Sequence, residues 1–181
     1  MLLFNDGAIT GRYATARRIA GEPGVDCEAL DKVAMDAIYE SRWKTMYHAE
    51  VFVGLDPEFM VKAHLLIPEG EENIMYNWML NFQYMSDEYV KMYKKSNPVG
   101  DGKEPDIYIF SDPQWCGSDR PSVSLDCLSD PQKKTLCYFN TDTNCACILG
   151  MRYFGEHKKG TLTMAWAIAN RTGYASCHGG Q

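Results

Sequence analysis

The 181-residue sequence predicts an α/β fold in which a mixed sheet is flanked by helices. Short apolar runs of strand length alternate along the chain with longer segments whose apolar residues recur at helical spacing. Two pairs of these runs are separated by short turns containing Asp, Asn, Thr or Pro, a pattern typical of hairpins. Strands in hairpins are antiparallel, whereas parallel strands need longer crossovers, so we expect both kinds of pairing in one sheet.

The first half of the chain is predicted to contain three helices and one hairpin. Asp26 is suited to cap the first helix, because its side chain can accept a hydrogen bond from an unpaired helical N–H. Asp56-Pro57 forms the turn of the hairpin. The predicted elements are helix 28–44, strands 48–54 and 61–67, helix 71–82 and helix 87–95.

The second half is predicted to end in a buried helix followed by a short strand. Residues 159–170 are apolar nearly all round, which indicates a helix covered on most sides. A loop of the length of 111–134 is uncommon inside a compact domain and suggests an insertion or a lid. The predicted elements are strand 106–110, loop 111–134, strands 135–140 and 145–150, helix 159–170 and strand 174–178.

Composition and charge fit one globular domain over residues 1–181. The chain is 45% hydrophobic and 23% charged, and its net charge of -6 argues against a general surface for nucleic acid or anionic membranes. No apolar run approaches the length of a membrane span, and residues 1–6 lack the basic segment of a signal peptide. We therefore expect a cytoplasmic protein whose seven cysteines are free thiols.

Two adjacent lysines are the strongest candidate for a functional site. Lys158 and Lys159 are predicted to stand at the start of the buried helix, where partial positive charge disfavours cations. This helix is too apolar to lie on the surface, so we expect its N-terminus, with the two lysines, to face a cleft. Ammonium groups and free backbone N–H groups would meet there and form an anion site. The alternative is a solvated turn with two lysines that bind nothing.

A neighbouring like charge, a helix N-terminus and partial burial all favour the neutral form of a lysine amine. A neutral amine can act as a nucleophile, a base or a metal ligand. His178 is a candidate partner for Lys159 at a metal, since neutral imidazole is a common ligand. A lone histidine at a strand end is also often merely hydrogen-bonded. Tyr153 and Arg12 also have alternatives without a functional role: Tyr153 as a core aromatic residue and Arg12 as a surface charge.

Two further histidines, His48 and His64, lie within the patterns of predicted strands. We expect packing roles for them. Cys145 and Cys147 stand too close together for the usual C-x₂-C zinc knuckle, so a zinc site is not expected there.

Residues 150–160 have the sequence G-M-R-Y-F-G-E-H-K-K-G. This segment resembles the Y-G-G-E-M-K-K-G segment of phosphoenolpyruvate carboxykinases. The spacing from Lys159 to His178 is similar to that of the family's lysine and histidine metal ligands. Weaker similarities lie in Phe139-Asn140, Thr10-Gly11-Arg12 and Pro113-Gln114-Trp115. The amino-acid sequence of the predicted helix after Lys159 looks most like that of the pyrophosphate-dependent branch of the family, and so does the ending S-C-H-G-G-Q.

The resemblance implies an N-terminal carboxykinase domain and an enzyme that interconverts oxaloacetate with phosphoenolpyruvate and CO₂. The phosphoryl partner would be phosphate or pyrophosphate, or a nucleotide. The implied cofactor is Mn²⁺, together with Mg²⁺.

The family's site residues map onto six positions of this chain. By resemblance, Arg12 would bind the carboxylate or phosphate of the substrate, and Tyr153 would hold a carboxylate or CO₂. Lys158 would neutralise enolate and phosphate oxygens beside Gly155, while Lys159 and His178 would ligate Mn²⁺.

Two departures from the family pattern bear on these expectations. Phe154 replaces the first glycine of the family's pair, although Gly155 remains. No G-x-x-x-x-G-K-[ST] phosphate loop occurs in the sequence. We therefore expect the substrate- and metal-binding half of a larger carboxykinase, inactive without the remainder of the enzyme chain. The alternatives are a stand-alone module for small carboxylates or phosphates, and a subunit that meets the phosphate-loop half in trans.

Overall fold

The computed structural model describes residues 8–10, 15–17, 27–56, 59–82, 104–115 and 136–176. A 3₁₀ turn over Ser41–Trp43 follows the first helix. The elements are β1 (Ala8–Thr10), β2 (Thr15–Arg17), α1 (Cys27–Glu40), β3 (Met46–Asp56), β4 (Phe59–Pro68), α2 (Glu72–Asn81), β5 (Ile107–Asp112), β6 (Leu136–Asn140), β7 (Cys145–Leu149) and α3 (Phe154–Arg171).

Five of the strands form one mixed sheet in the order β3-β4-β5-β7-β6. β4, β5 and β7 run parallel to one another, while β3 and β6 pair antiparallel with their neighbours at the two ends. β1 and β2 form a separate antiparallel pair. The predicted α/β class with a mixed sheet and flanking helices is therefore confirmed.

The hydrophobic core lies between this sheet and the helices. α2 packs against α3, and the buried indole of Trp78 donates a 2.8 Å hydrogen bond from Nε1 to Thr161 Oγ1. None of the helices in the described ranges is both long and apolar enough to cross a membrane. The largest fully buried side chains are those of Trp78, Phe139, Leu65, Ile67, Ile107, Ile109 and Leu136.

A buried carboxylate ties α1 to the end of β5. Asp112 Oδ2 accepts hydrogen bonds from Ser41 Oγ at 2.9 Å and from Lys44 Nζ at 2.5 Å. Asp112 Oδ1 accepts another from the backbone N–H of Gln114. Because a buried carboxylate needs such donors, these bonds fix the exit of α1 relative to the sheet.

Most of the predicted strands and helices are confirmed with boundaries shifted by a few residues, but the chain after β7 differs. α3 begins at Phe154 rather than at Lys159, because the first turn packs against the sheet and is helical in spite of its glycine and aromatic residue. The strand predicted for 174–178 is wrong over Tyr174–Ser176, which have an irregular backbone. The helix predicted over 87–95, and the loop beyond residue 115, fall outside the described residues.

The closest approach of α3 to the sheet is at Gly160. A Cβ atom built on Gly160 would overlap the ring of Phe139, which is fully buried on β6. Glycine therefore lets the helix backbone lie directly against an aromatic ring, at the cost of helix propensity.

We predict that Gly160→Ala destabilises the protein by about 1–3 kcal/mol, because the added methyl overpacks a ring that has no room to move. Gly155→Ala in the same helix is the matched control. The atoms nearest to its Cβ all belong to the ring of Tyr153, which is 64% exposed and has room to swing away. Urea unfolding of both variants checks the difference. Equal stability of the two would contradict the contact.

Candidate functional site

The start of α3 lies at the edge of the sheet where parallel strands end. β7 ends at Leu149, and Gly150 turns the chain with a φ of 66° while its N–H donates to the carbonyl of Asp112. Arg152 then pairs with Glu71 at 2.8 Å, which ties this connection to the start of α2. In α/β sheets, the carboxyl ends of parallel strands are the usual place for ligands.

The first turn of α3 is anchored by a buried histidine. His157 is fully buried, and its Nε2 lies 2.7 Å from Oγ of Ser111 at the end of β5. Burial lowers the pKa of His157 to about 4, against a smaller raising effect of its backbone hydrogen bond to Tyr153. His157 is therefore neutral near pH 7 and serves to hold the helix on the strand.

Its neighbour Glu156 has a buried carboxyl group. Glu156 is fully buried, and neither side-chain oxygen has a hydrogen-bond partner among the residues that the structure describes. The first turn of a helix favours a carboxylate, but burial dominates here and raises the pKa of Glu156 to about 7. Sequence reasoning missed both residues, because a Glu-His pair ahead of two lysines reads as a polar, exposed turn.

The structure corrects the predicted position of the two lysines. They lie in the second turn of α3, not at its N-terminus. The N–H groups of the first turn that helix geometry leaves without a partner inside the helix are those of Phe154 and Gly155, while the N–H of Glu156 donates to the carbonyl of Tyr153 at 3.4 Å. Both lysine side chains are half-buried. Lys158 and Lys159 follow Gly155 by three and four residues, which places all three positions on one face of the helix.

Tyr153 lies on the same side of the helix. It occupies the N-cap position with an extended backbone and makes no capping hydrogen bond through its side chain. A Cβ on Gly155 would overlap the Tyr153 ring, so the ring rests directly on the glycine. Four of the six predicted site residues, Tyr153, Gly155, Lys158 and Lys159, are therefore brought together in the first two turns of α3.

The other two predicted residues, Arg12 and His178, lie outside the described residues. β1, which ends at Thr10, contacts both α3 and β6. Within the described ranges, no group of three or more His, Cys, Asp and Glu side chains is arranged to hold a metal ion.

A second polar cluster lies on the opposite face of the sheet. The predicted packing roles of two histidines are part of what the structure shows, since the rings of His48 and His64 pack edge to face and His64 packs against Tyr108 in the same way. The hydrogen bonds were not predicted. His48 Nε2 and His64 Nδ1 lie 2.7 Å apart, and His64 Nε2 lies 2.6 Å from Glu50 Oε2. Partial burial is the main cause that lowers the pKa of His48, and the nearby carboxylate of Glu50 opposes this effect. The signal for this cluster was available only in the register of the hairpin, which places Glu50 opposite His64.

No protein-family model matches this chain, and no curated protein shows significant similarity to it.

We predict that Glu156→Gln stabilises the protein increasingly as the pH rises. The carboxyl of Glu156 has an ordinary pKa of 4.5 and a folded pKa of about 7, so the folded state holds a proton that the unfolded state has lost. Its contribution is present below about pH 4.5 and is lost as the pH rises through about 7. Glutamine is neutral throughout and escapes this loss.

Chemical unfolding at pH 5 and pH 8 measures the effect as the difference between variant and parent protein. The opposing contribution of His157, which is lost as the pH falls from 6.5 through about 4, is common to both and cancels. Glu72→Gln, at a carboxyl with a lowered pKa, is the matched control and lacks this gain at high pH. A pH-independent difference for Glu156→Gln would show that the carboxyl is ionised in the folded protein.

Proposed function

We propose that this chain contributes the substrate- and metal-binding part of a phosphoenolpyruvate carboxykinase. The reaction interconverts oxaloacetate with phosphoenolpyruvate and CO₂, with phosphate or pyrophosphate, or a nucleotide, as the phosphoryl partner. The proposal rests on the resemblance of residues 150–160. The observation that supports it is the shared placement of Tyr153, Gly155, Lys158 and Lys159 at the carboxyl edge of parallel strands.

This arrangement suits a reaction that passes through an enolate. Fixed cations and hydrogen-bond donors at a developing oxyanion lower the barrier more than the same groups in water, because they need no reorganisation. In the proposal, Lys158 places its ammonium beside the enolate and phosphate oxygens. The Tyr153 hydroxyl donates to a substrate carboxylate, and Gly155 lets the ring lie close to the helix.

Mn²⁺ is proposed to be held by Lys159 and His178, and when bound it would supply Lewis-acid stabilisation of the same oxygens. Lys159 fits this role in that its half-buried side chain lies on the face shared with Gly155 and Lys158. Arg12 is proposed to complete the anion site as a second substrate-binding cation.

Phosphoryl transfer is proposed to need another part of the enzyme. The G-x-x-x-x-G-K-[ST] loop that cradles phosphates does not occur in these 181 residues. The chain by itself is therefore expected to bind Mn²⁺ and phosphoenolpyruvate weakly and to show no turnover. Oxaloacetate–phosphoenolpyruvate exchange by the purified chain would contradict this expectation.

Replacing each of the two lysines is predicted to weaken the binding of a different ligand. Lys159→Gln should weaken Mn²⁺ binding by at least about 10-fold, since it removes one of two protein ligands. Lys158→Gln should leave Mn²⁺ binding unchanged and weaken the binding of phosphoenolpyruvate or oxalate by a similar factor. Electron paramagnetic resonance of free Mn²⁺ measures the first, and isothermal calorimetry with oxalate measures the second.

Lys32→Gln is the matched control, because Lys32 is exposed on α1 and pairs with Asp36 four residues further along. It should change neither constant. Mn²⁺ binding that is insensitive to Lys159→Gln would overturn the metal assignment, and oxalate binding insensitive to Lys158→Gln would overturn the substrate assignment.

A second candidate is a stand-alone module that binds small carboxylates or phosphates without catalysis. Tyr153, Lys158 and the first-turn N–H groups of α3 lie together, and none of them needs a metal ion in order to bind an anion. This placement favours the second candidate. In that case phosphoenolpyruvate or oxalate should raise the melting temperature with no Mn²⁺ present. Stabilisation that requires Mn²⁺ would favour the carboxykinase.

A further inference from the structure

The imidazoles of β3 and β4 approach one another across the hairpin. His48 Nε2 and His64 Nδ1 are 2.7 Å apart, and their ring centroids are separated by 4.3 Å at an interplanar angle of 70°. The antiparallel register pairs His48 with Leu66 and Glu50 with His64, so the two histidines are diagonal neighbours on one face of the sheet. Two ring nitrogens therefore point at the same small volume.

The carboxylate of Glu50 fixes the tautomer of His64. His64 Nε2 lies 2.6 Å from Glu50 Oε2, and the buried ammonium of Lys62 lies 3.9 Å from the same oxygen. A carboxylate only accepts hydrogen bonds, so Nε2 of His64 carries the proton. Nδ1 of His64 then presents its lone pair towards Nε2 of His48.

We propose that His48 Nε2 and His64 Nδ1 together bind a divalent cation of the zinc, nickel and copper class. Imidazole nitrogen is a preferred ligand for these metals. The hydrogen bond from the far nitrogen of His64 to Glu50 repeats the carboxylate–histidine–metal arrangement, in which a carboxylate orients the ring and raises its basicity.

Binding requires a change of tautomer and a small movement. At 2.7 Å, Nε2 of His48 donates to Nδ1 of His64, so His48 gives up this proton to water and takes one up on its own Nδ1, which frees Nε2 for the metal. Two nitrogens at roughly 2.0–2.1 Å from a tetrahedral ion are about 3.3 Å apart, so the gap of 2.7 Å must widen by about half an ångström. His64 is held by Glu50 on one side and by the edge of the Tyr108 ring, with centroids 6.1 Å apart, on the other. His48 is exposed and can swing outward.

The site would have two protein ligands, with water completing the coordination. Its affinity is therefore expected to be moderate, below that of closed sites with three or four ligands. It is independent of the proposed carboxykinase chemistry. His64 and Tyr108 share the face of the sheet opposite Ser111 and α3.

The test is a Zn²⁺ titration of the reduced chain, followed by nitrogen-15 NMR of the imidazole rings and by calorimetry. We expect the resonances of His48 Nε2 and His64 Nδ1 to shift together and to saturate at one equivalent. His48→Gln and His64→Gln should each weaken this Zn²⁺ binding by at least about 10-fold. His48 is exposed, so its variant tests the ligand without threatening the fold.

Glu50→Gln should weaken Zn²⁺ binding by about 10–100-fold while leaving both imidazoles in place. Glu104→Gln is the matched control, because it removes the same charge from a carboxylate that bonds to the Tyr108 hydroxyl without touching either imidazole. Equal effects of the two glutamate variants would reduce the role of Glu50 to general charge and overturn the carboxylate–histidine–metal assignment. Zn²⁺ binding that is unchanged in His48→Gln, or that shifts no imidazole nitrogen, would overturn the site and leave a proton-sharing pair.

Discussion

The candidate site depends on one hydrogen bond, between His157 Nε2 and Ser111 Oγ. It joins the first turn of α3 to the end of β5, with both residues fully buried. Because a helix is rigid over such a short distance, fixing His157 inward also fixes which residues turn outward. Gly155, Lys158 and Lys159 lie on the other side of the helix for this reason. A neutral, structural histidine thus decides where the two lysines are presented.

The same turn contains a cost that the fold must offset elsewhere. Glu156 is buried beside His157, and its oxygens have no partner within the described part of the chain. An unpaired buried carboxyl is disfavoured in its charged form, which agrees with its raised pKa. Ionisable groups with a strongly shifted pKa are more common at functional sites than in ordinary packing. Glu156 lies one to three residues from Gly155, Lys158 and Lys159.

Periodicity and turn chemistry predicted the sheet class and most of the elements, because those depend on local sequence. They failed at the start of α3, where Phe154 and Gly155 are poor helix formers and the contact of His157 with Ser111 on β5 holds the turn. The motif made Tyr153, Lys158 and Lys159 candidates, but it did not point to the buried carboxyl of Glu156 or the buried imidazole of His157, which lie between them in the chain. The pairing of His48 with His64 could not be read from spacing, since it depends on the register of two strands across a turn.

Gly160 and Phe139 also act as a spacer between layers. The ring of Phe139 lies against the bare backbone of Gly160, so the sum of the two side-chain volumes sets the height of α3 above β6. An increase in size at one position is then tolerable only with a decrease at the other. Residues without any reactive group would in this way govern how far Lys158 and Lys159 stand from the strand ends. The chemistry at one end of the helix would therefore constrain substitutions in the middle of it.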